Sequence, residues 1–296
     1  MRAAATVIFL CITLNLSLNA SDSTIPTGST SAESGSVDAG RALPASPIQD
    51  NSFLIEEAYN QEDGVVQHIS FIQRSLVSGD WVYTLTDEWP ARSLKHQLSV
   101  TMSAVHSSAE TSSGFGYGDT ALNYRYQLVG NGETKLAIAP RFTVLLPTGD
   151  FRRGRGTGGA GIQTNLPFSL QHSRWLVTHW NAGLTWVPNA RNGSGEQAGL
   201  LNLNLGGSIV WLSSQRFNAL LESLWTSTEN VSGPSRTDRR QDLYLSPGIR
   251  WAHNFRSGLQ IVPGIAVPIG VGPSSGQRGV IFYLSFEHPW RIAHSR

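Results

Sequence analysis

The sequence predicts an all-β chain: an antiparallel transmembrane β-barrel of about 12 strands, preceded by a signal peptide and a disordered linker. Three observations predict it: a two-residue hydrophobic period that recurs along the chain, connections that alternate in length, and an apolar N-terminus of the kind that directs export. The period is clearest in QAGLLNLNLGGSIVW, residues 197–211. Successive side chains of a strand point to opposite faces, so Leu201, Leu203, Leu205 and Ile209 share one face and Asn202, Asn204 and Ser208 the other.

The first twenty residues, MRAAATVIFLCITLNLSLNA, carry Arg2, an apolar run and a small residue, Ala20, where a signal peptidase would cut. Residues 1–20 are therefore read as a signal peptide. The only cysteine, Cys11, lies inside it, so the mature chain has no disulfide, thiolate metal site or cysteine nucleophile. Residues 21–50 are dominated by Ser, Thr, Gly, Ala and Pro, with no aromatic residue, and read as a flexible linker. Residues 51–64, containing FLIEEAYNQEDG, read as a short pre-barrel periplasmic segment with one or two turns of helix.

Residues 65–290 read as the outer-membrane barrel. The alternating runs fall at about 65–74, 80–88, 95–106, 118–129, 133–146, 159–171, 174–187, 198–212, 216–228, 239–252, 257–270 and 279–288. Most are long enough to cross a bilayer obliquely, which takes roughly 9–11 residues. GNGE, HSR, SSQ and HNFR make tight connections, while PTGDFRRGRGTGG, PNARNGSGEQ, TENVSGPSRTDR and VGPSSGQR make long ones between them. Barrels of the outer membrane have short periplasmic turns and longer outer loops, so both ends of this chain are expected in the periplasm.

Composition agrees with export and excludes other classes. Charged residues make up 15% of the chain, against about a quarter in ordinary soluble domains. The net charge of +1, from 22 basic and 21 acidic residues, gives no bulk reason to expect nucleic acid. A secreted two-sheet sandwich that binds a ligand also has alternating strands. Against it stand the sorting of loop lengths and the aromatic residues at strand ends: Trp211, Phe217, Trp251 and Phe286 near the short turns, Trp186 and Trp225 toward the long loops. Pro140, Pro167, Pro247 and Pro263 fall inside predicted strands, where each removes a ladder hydrogen bond.

FLIEEAYNQEDGVVQHI, DEWP followed by KHQLSV, GFGYGDTALNYRYQL and LLPTGDF together resemble the MetA-pathway of phenol degradation family of outer-membrane transporter-like proteins. The resemblance spans most of the chain after Ser52. It implies a barrel in the outer membrane of a Gram-negative-type bacterium and uptake of aromatic or other small hydrophobic compounds, and it carries over no catalytic motif.

The candidate pore-lining residues are Asn123, Arg125, Arg141, His179, Asn202, Asn204, Glu222, Asp242 and Arg250, polar positions on the faces opposite the apolar ones. A ring of guanidinium groups, Arg125, Arg141, Arg240 and Arg250, would attract anions through an open pore. Alternatively these arginines pair with Glu222 and Asp242 and close a narrow lumen. The expected partners are outer-membrane lipid, a small-molecule solute and the outer-membrane assembly machinery. No cofactor, metal site or catalytic residue is expected.

An outer-membrane acyl hydrolase is the enzymatic alternative, because nucleophilic catalysis needs a His within hydrogen-bond reach of a Ser. Two His-x-Ser pairs exist, His68 with Ser70 and His106 with Ser108. The first is expected to face the lumen, with Ile69 and Phe71 toward lipid, and the second to sit at a loop edge. The glycine-rich GRGTGGAG lacks the ending that lets a P-loop lysine reach phosphates and reads as a loop.

Overall fold

The computed structural model describes residues 48, 52–108 and 114–289; the expected signal peptide lies outside the described residues, as does nearly all of the expected linker. Twelve antiparallel strands close into one barrel. They are β1 (Val65–Ser75), β2 (Trp81–Ala91), β3 (Ser93–Ser107), β4 (Gly114–Tyr117 with Thr120–Tyr126), β5 (Leu136–Ile138 with Arg141–Leu146) and β6 (Gly161–Asn165 with Phe168–Ser173). There follow β7 (Leu176–Arg191), β8 (Gln197–Ser214), β9 (Phe217–Gly233), β10 (Arg236–Trp251 with His253–Asn254), β11 (Gln260–Ala266 with Ile269–Gly270) and β12 (Gly279–Pro289). Each strand pairs with its sequence neighbours, and β12 pairs with β1 from Val65↔Pro289 to Ser75↔Gly279. Closure leaves no sheet edge, which excludes the two-sheet sandwich.

The alternation of QAGLLNLNLGGSIVW resolves as outside against inside. Leu201 and Leu205 are 39% and 43% exposed, whereas Asn202 and Asn204 are 3% and 2% exposed. Large apolar side chains such as Leu122, Phe142, Ile162, Leu184, Leu221, Ile249 and Phe282 stand exposed around the wall. Trp175, Trp211, Phe217 and Trp251 ring the short-turn end, and Trp186 lies toward the other. A continuous apolar belt with aromatic borders on a closed barrel is the surface that a bilayer covers.

Two of the prolines expected inside strands sit where strands are interrupted, whereas Pro247 and Pro263 lie within continuous, paired strands. Pro140 and Pro167 occupy the breaks in β5 and β6, yet register runs straight across them, from Arg141↔Asn165 to Ile138↔Phe168. Ala139 N still donates to Pro167 O at 3.2 Å, and Tyr126 N to Pro140 O at 3.0 Å. Each proline removes one donor from the ladder without a bulge, so the inward and outward sets keep their places.

Two expectations are corrected here. The stretch TENVSGPSRTDR is not a long loop: β9 and β10 run through it, pair from Glu229↔Arg239 to Gly233↔Arg236, and turn on Pro234 and Ser235, the latter left-handed with φ of 56°. The two strands therefore project past the apolar belt. The segment before β1 forms no helix; residues 52–64 are irregular and lie within the barrel, where Phe53, Leu54, Ile55 and Ala58 are buried.

Candidate functional site: the plugged lumen

An extended chain inside a barrel has no strand to pair with, so its peptide groups need other partners or pay the cost of burial. The lumen-facing side chains supply them. Leu54 N and Ile55 N donate to Glu222 Oε1 at 2.7 and 3.1 Å, and Glu56 N donates to Asn181 Oδ1 at 3.1 Å. Ala58 N donates to Ser169 Oγ at 2.9 Å, Asn60 N to Gln127 Oε1 at 2.9 Å and Gln61 N to Gln97 Oε1 at 2.7 Å. In return Asn181 Nδ2 donates to Glu56 O at 2.8 Å, Gln127 Nε2 to Ala58 O at 2.8 Å and Arg125 to Tyr59 O at 3.0 Å. The polar inner face thus acts as a template for residues 54–61, which form a plug.

Charge fixes the plug as well. Glu56 accepts from Arg141 Nε at 2.9 Å and from Arg125 NH2 at 3.2 Å, and Glu57 Oε1 lies 3.0 Å from Arg250 NH2. His179 Nε2 is 3.5 Å from the same Glu57 oxygen. Arg125, Arg141, Arg250, His179 and Glu57 are all less than 9% exposed. These arginines are therefore not a free ring: Glu56 of the plug is shared by Arg125 and Arg141, and Glu57 pairs with Arg250. Only Arg240 keeps the anticipated partner, Asp242, at 2.7 Å.

Apolar contacts set the plug's other side. Phe53 packs on Tyr283, ring centroids 5.5 Å apart, and joins Leu54 and Ile55 in one cluster with Ile69, Val177, Val210, Leu220, Leu224 and Ile281. Its ring packs against the wall where β10 and β11 carry Gly248 and Gly264: a Cβ on Gly248 would come within 2.6 Å of Phe53. The inner face is thus mixed: the apolar patch of Val177, Val210, Leu220, Leu224 and Ile281 lies among buried polar residues such as Asn181, Asn202, Asn204 and Glu222.

Between the plug and the long-loop end lies a cavity of about 370 Å³. Phe53, Leu54, Ile55 and Glu56 line its floor, and Ile69, Phe71, Val82, Val105, Leu145, Leu200, Val231 and Tyr283 give it mostly apolar walls. Arg125, Arg141, Glu88, Asn123 and the hydroxyls of Thr84, Thr86, Ser99, Thr101 and Ser103 add polar groups, and Phe151 and Arg155 from a loop and Arg191 from the end of β7 border it above. Asp119 anchors that roof: Oδ1 accepts from Gly149 N at 2.9 Å, and Oδ2 from the backbone and hydroxyl of Thr157 at 2.7 Å each. The GRGTGGAG stretch is thus part of a clamped loop.

The structure places eight of the nine candidate lining residues inside and buried: Asn123, Arg125, Arg141, His179, Asn202, Asn204, Glu222 and Arg250. Asp242 shares their parity on β10 but sits toward the long-loop end, bound to Arg240 and to Ser274 Oγ at 2.8 Å. Arg125, Arg141 and Asn123 border the cavity, whereas Glu222 and Arg250 grip the plug. Sequence reasoning missed Glu56 and Glu57. Two adjacent acids within an apolar stretch, facing a chain whose inner face is rich in arginine, were the available signal.

The first His-x-Ser pair faces the other way from expectation. Ile69 and Phe71 line the cavity, so His68 and Ser70 lie on the outer wall. A one-residue change of phase reverses every side chain, and β1 carries apolar residues on both faces, which hid its phase. Ser70 Oγ pairs with Tyr83 Oη at 3.1 Å and His68 with Asp87 and His288, so no His–Ser contact forms there. Ser108 Oγ bonds Ser78 O and Asp80 Oδ1, each at 2.7 Å, while His106 stacks on Trp81. Neither pair is assembled for nucleophilic attack.

By sequence, no family profile and no curated protein matches the chain. By structure it is similar to the COG4313 outer membrane channel from Pseudomonas putida F1, with a TM-score of 0.60 and 13% identity over 78% of this chain and 97% of that one. It also aligns with the NanC porin, TM-score 0.48 and 9% identity over 75% and 98% of the two chains. The CymD monoaromatic hydrocarbon channel aligns with a TM-score of 0.42 and 11% identity over 79% and 90%. The first of these likenesses shows a shared fold: the chain has the closed, twelve-stranded antiparallel barrel of that channel.

Proposed function

We propose that the chain is an outer-membrane channel for small molecules, among them aromatic or other hydrophobic compounds, and that residues 52–64 are its gate. The observation that carries this reading is the docked plug beneath a cavity with mostly apolar walls. A pore for hydrophilic solutes needs a continuous wet path; here the path meets Phe53, Leu54 and Ile55, themselves part of the cavity lining. The cavity's size is at the small end of ligand pockets, roughly 300–1,000 Å³. A solute bound there touches the plug directly. If it binds better when the plug is displaced, it shifts the population toward the open form.

On this reading export follows residues 1–20, and residues 21–50 form a periplasmic tether to the plug. The assembly machinery inserts the barrel with its short turns in the periplasm. The resemblance to the MetA-pathway family and the fold shared with an outer membrane channel support this placement.

The test is solute flux into liposomes and single-channel conductance, comparing the mature chain with a variant lacking residues 52–61. The mature chain should pass small aromatic solutes and show low, flickering ion conductance, and the variant should conduct steadily. Equal, negligible permeability of both to every solute would sink the channel reading.

A further inference from the structure

Glu56 lies at the floor of the cavity, and Arg125 and Arg141 share the lining with it. Arg141 presents Nε and Nη2 to the two oxygens of this one carboxylate, Nε at 2.9 Å, in the fork that a planar guanidinium makes with an organic acid. Arg125 adds a single bond, Nη2 at 3.2 Å, and its Nε is buried with no acceptor among the described residues. Both arginines are buried. The wall therefore carries a ready-made carboxylate site, and its occupant is a side chain of the plug, which pairs with no strand of the wall. The same cavity is lined by Phe53, Leu54 and Ile55 of the plug and by Ile69, Phe71 and Tyr283 of the barrel. A molecule seated there meets apolar surface around its body and two guanidinium groups at its foot.

We propose, resting on the channel reading above, that the cavity takes small organic carboxylates with an apolar body, and that such a solute unlocks the gate by replacing Glu56 on Arg141 and Arg125. The exchange keeps one carboxylate against the two arginines before and after, and only hydrogen bonds change. A neutral solute has no charge to offer: lifting Glu56 then leaves two buried guanidinium groups without a counter-charge, which opposes opening. The anion binds the displaced form better than the docked form, where Glu56 holds its place, and that difference shifts the population. A free carboxylate also has a donor to gain, the Arg125 Nε that Glu56, tied through its backbone to Asn181, does not engage. Glu57 keeps its own pair with Arg250, so the exchange loosens the cavity-facing part of the plug, residues 52–56.

The test compares sodium benzoate with benzamide, a neutral molecule of the same shape, on the folded mature chain. In calorimetry in detergent, Glu56→Gln should tighten benzoate binding by roughly tenfold or more, because the internal competitor is gone. Arg141→Met on that background should abolish the gain, and benzamide should show neither effect. Each variant should keep the heat-dependent gel migration of a folded barrel. In planar bilayers benzoate should lengthen the openings of the unmodified channel at concentrations where benzamide does not. Equal benzoate affinity in the unmodified and Glu56→Gln chains, or an equal response to the two solutes, would overturn the exchange. The channel reading is judged separately, by flux of neutral aromatic solutes through the variant lacking residues 52–61. Flux there with no preference for benzoate sinks this inference alone; benzoate binding that depends on Glu56 and Arg141, in a chain and a variant that pass no solute, keeps the carboxylate site and sinks the channel.

Discussion

Glu57 and Arg250 stand 193 positions apart in sequence, and their side chains meet 3.0 Å apart in the lumen, both almost wholly buried. Glu56 makes the matching contact with Arg125 and Arg141. Removing one partner of a buried pair leaves the other charged and unsolvated, which typically costs about 3–5 kcal/mol.

Glu56→Ala should therefore loosen the plug by about that amount, because two buried guanidinium groups lose their counter-charge. Single-channel recording should show longer and larger openings than in the unmodified chain, with a preference for anions. A trace identical to the parent protein would mean that the carboxylate does not hold the plug.

Gly264→Val should act on the plug from the wall. A side chain there occupies the space of the Phe53 ring, which lies against both Gly264 and Gly248. The expected result is a folded barrel with raised conductance and faster proteolysis between residues 52 and 61. Phe53→Ala should produce the same phenotype; wild-type conductance in both variants would count against this docking.

Leu203→Arg, if it lies near the bilayer midplane, should cost about 2–4 kcal/mol by placing charge against hydrocarbon. Asn204→Arg should also be poorly tolerated, for a different reason: Asn204 is 2% exposed and packs over Gly183. Single cysteines at 201, 203 and 205 should react with a lipid-soluble maleimide and resist a water-soluble one. Protection from both reagents would place these leucines against protein.

The loop end carries a pH-dependent contact. Burial raises the Asp80 carboxyl, but hydrogen bonds from the Ser108 backbone and hydroxyl and from Ser78 outweigh it and hold the group below its ordinary range. A depressed folded value means stabilisation that is present above the ordinary value, about 3.9, and lost as pH falls through the lower one. The protection of the Ser108 amide, its exchange compared with that of an unfolded chain at the same pH, should be high at neutral pH and fall in acid. Asp80→Asn should remove that change in protection; if protection still falls equally in acid, another group is responsible.

The barrel was legible because alternation at every second residue has one consequence repeated twelve times over: Leu201, Leu203 and Leu205 must leave water together, and Asn202 and Asn204 must not. The strand positions and the inward set followed from that local rule. Loop length was a weaker guide, since charged and polar residues such as Arg236–Gln241 extend a strand past the membrane as readily as they make a loop. In β1 both parities carry apolar residues, Val65, Ile69 and Phe71 on one and Val66 and Ile72 on the other, and the expectation that His68 and Ser70 face the lumen chose the wrong one.

What the sequence by itself determined is therefore the wall: its strand count, its two faces and the polarity of its interior. Those features depend on neighbours two residues apart. What only the tertiary structure decided is what the interior is for. Glu222 reads as a residue lining water, yet in the fold it joins Asn181, Gln127 and Ser169 in satisfying the peptide groups of residues 54–60, and the arginines answer Glu56 and Glu57. The physical reason is that a polar side chain states a need for a partner without naming it. Water, an ion or a backbone amide each meets that need, and the choice is made by which segment the closed barrel encloses.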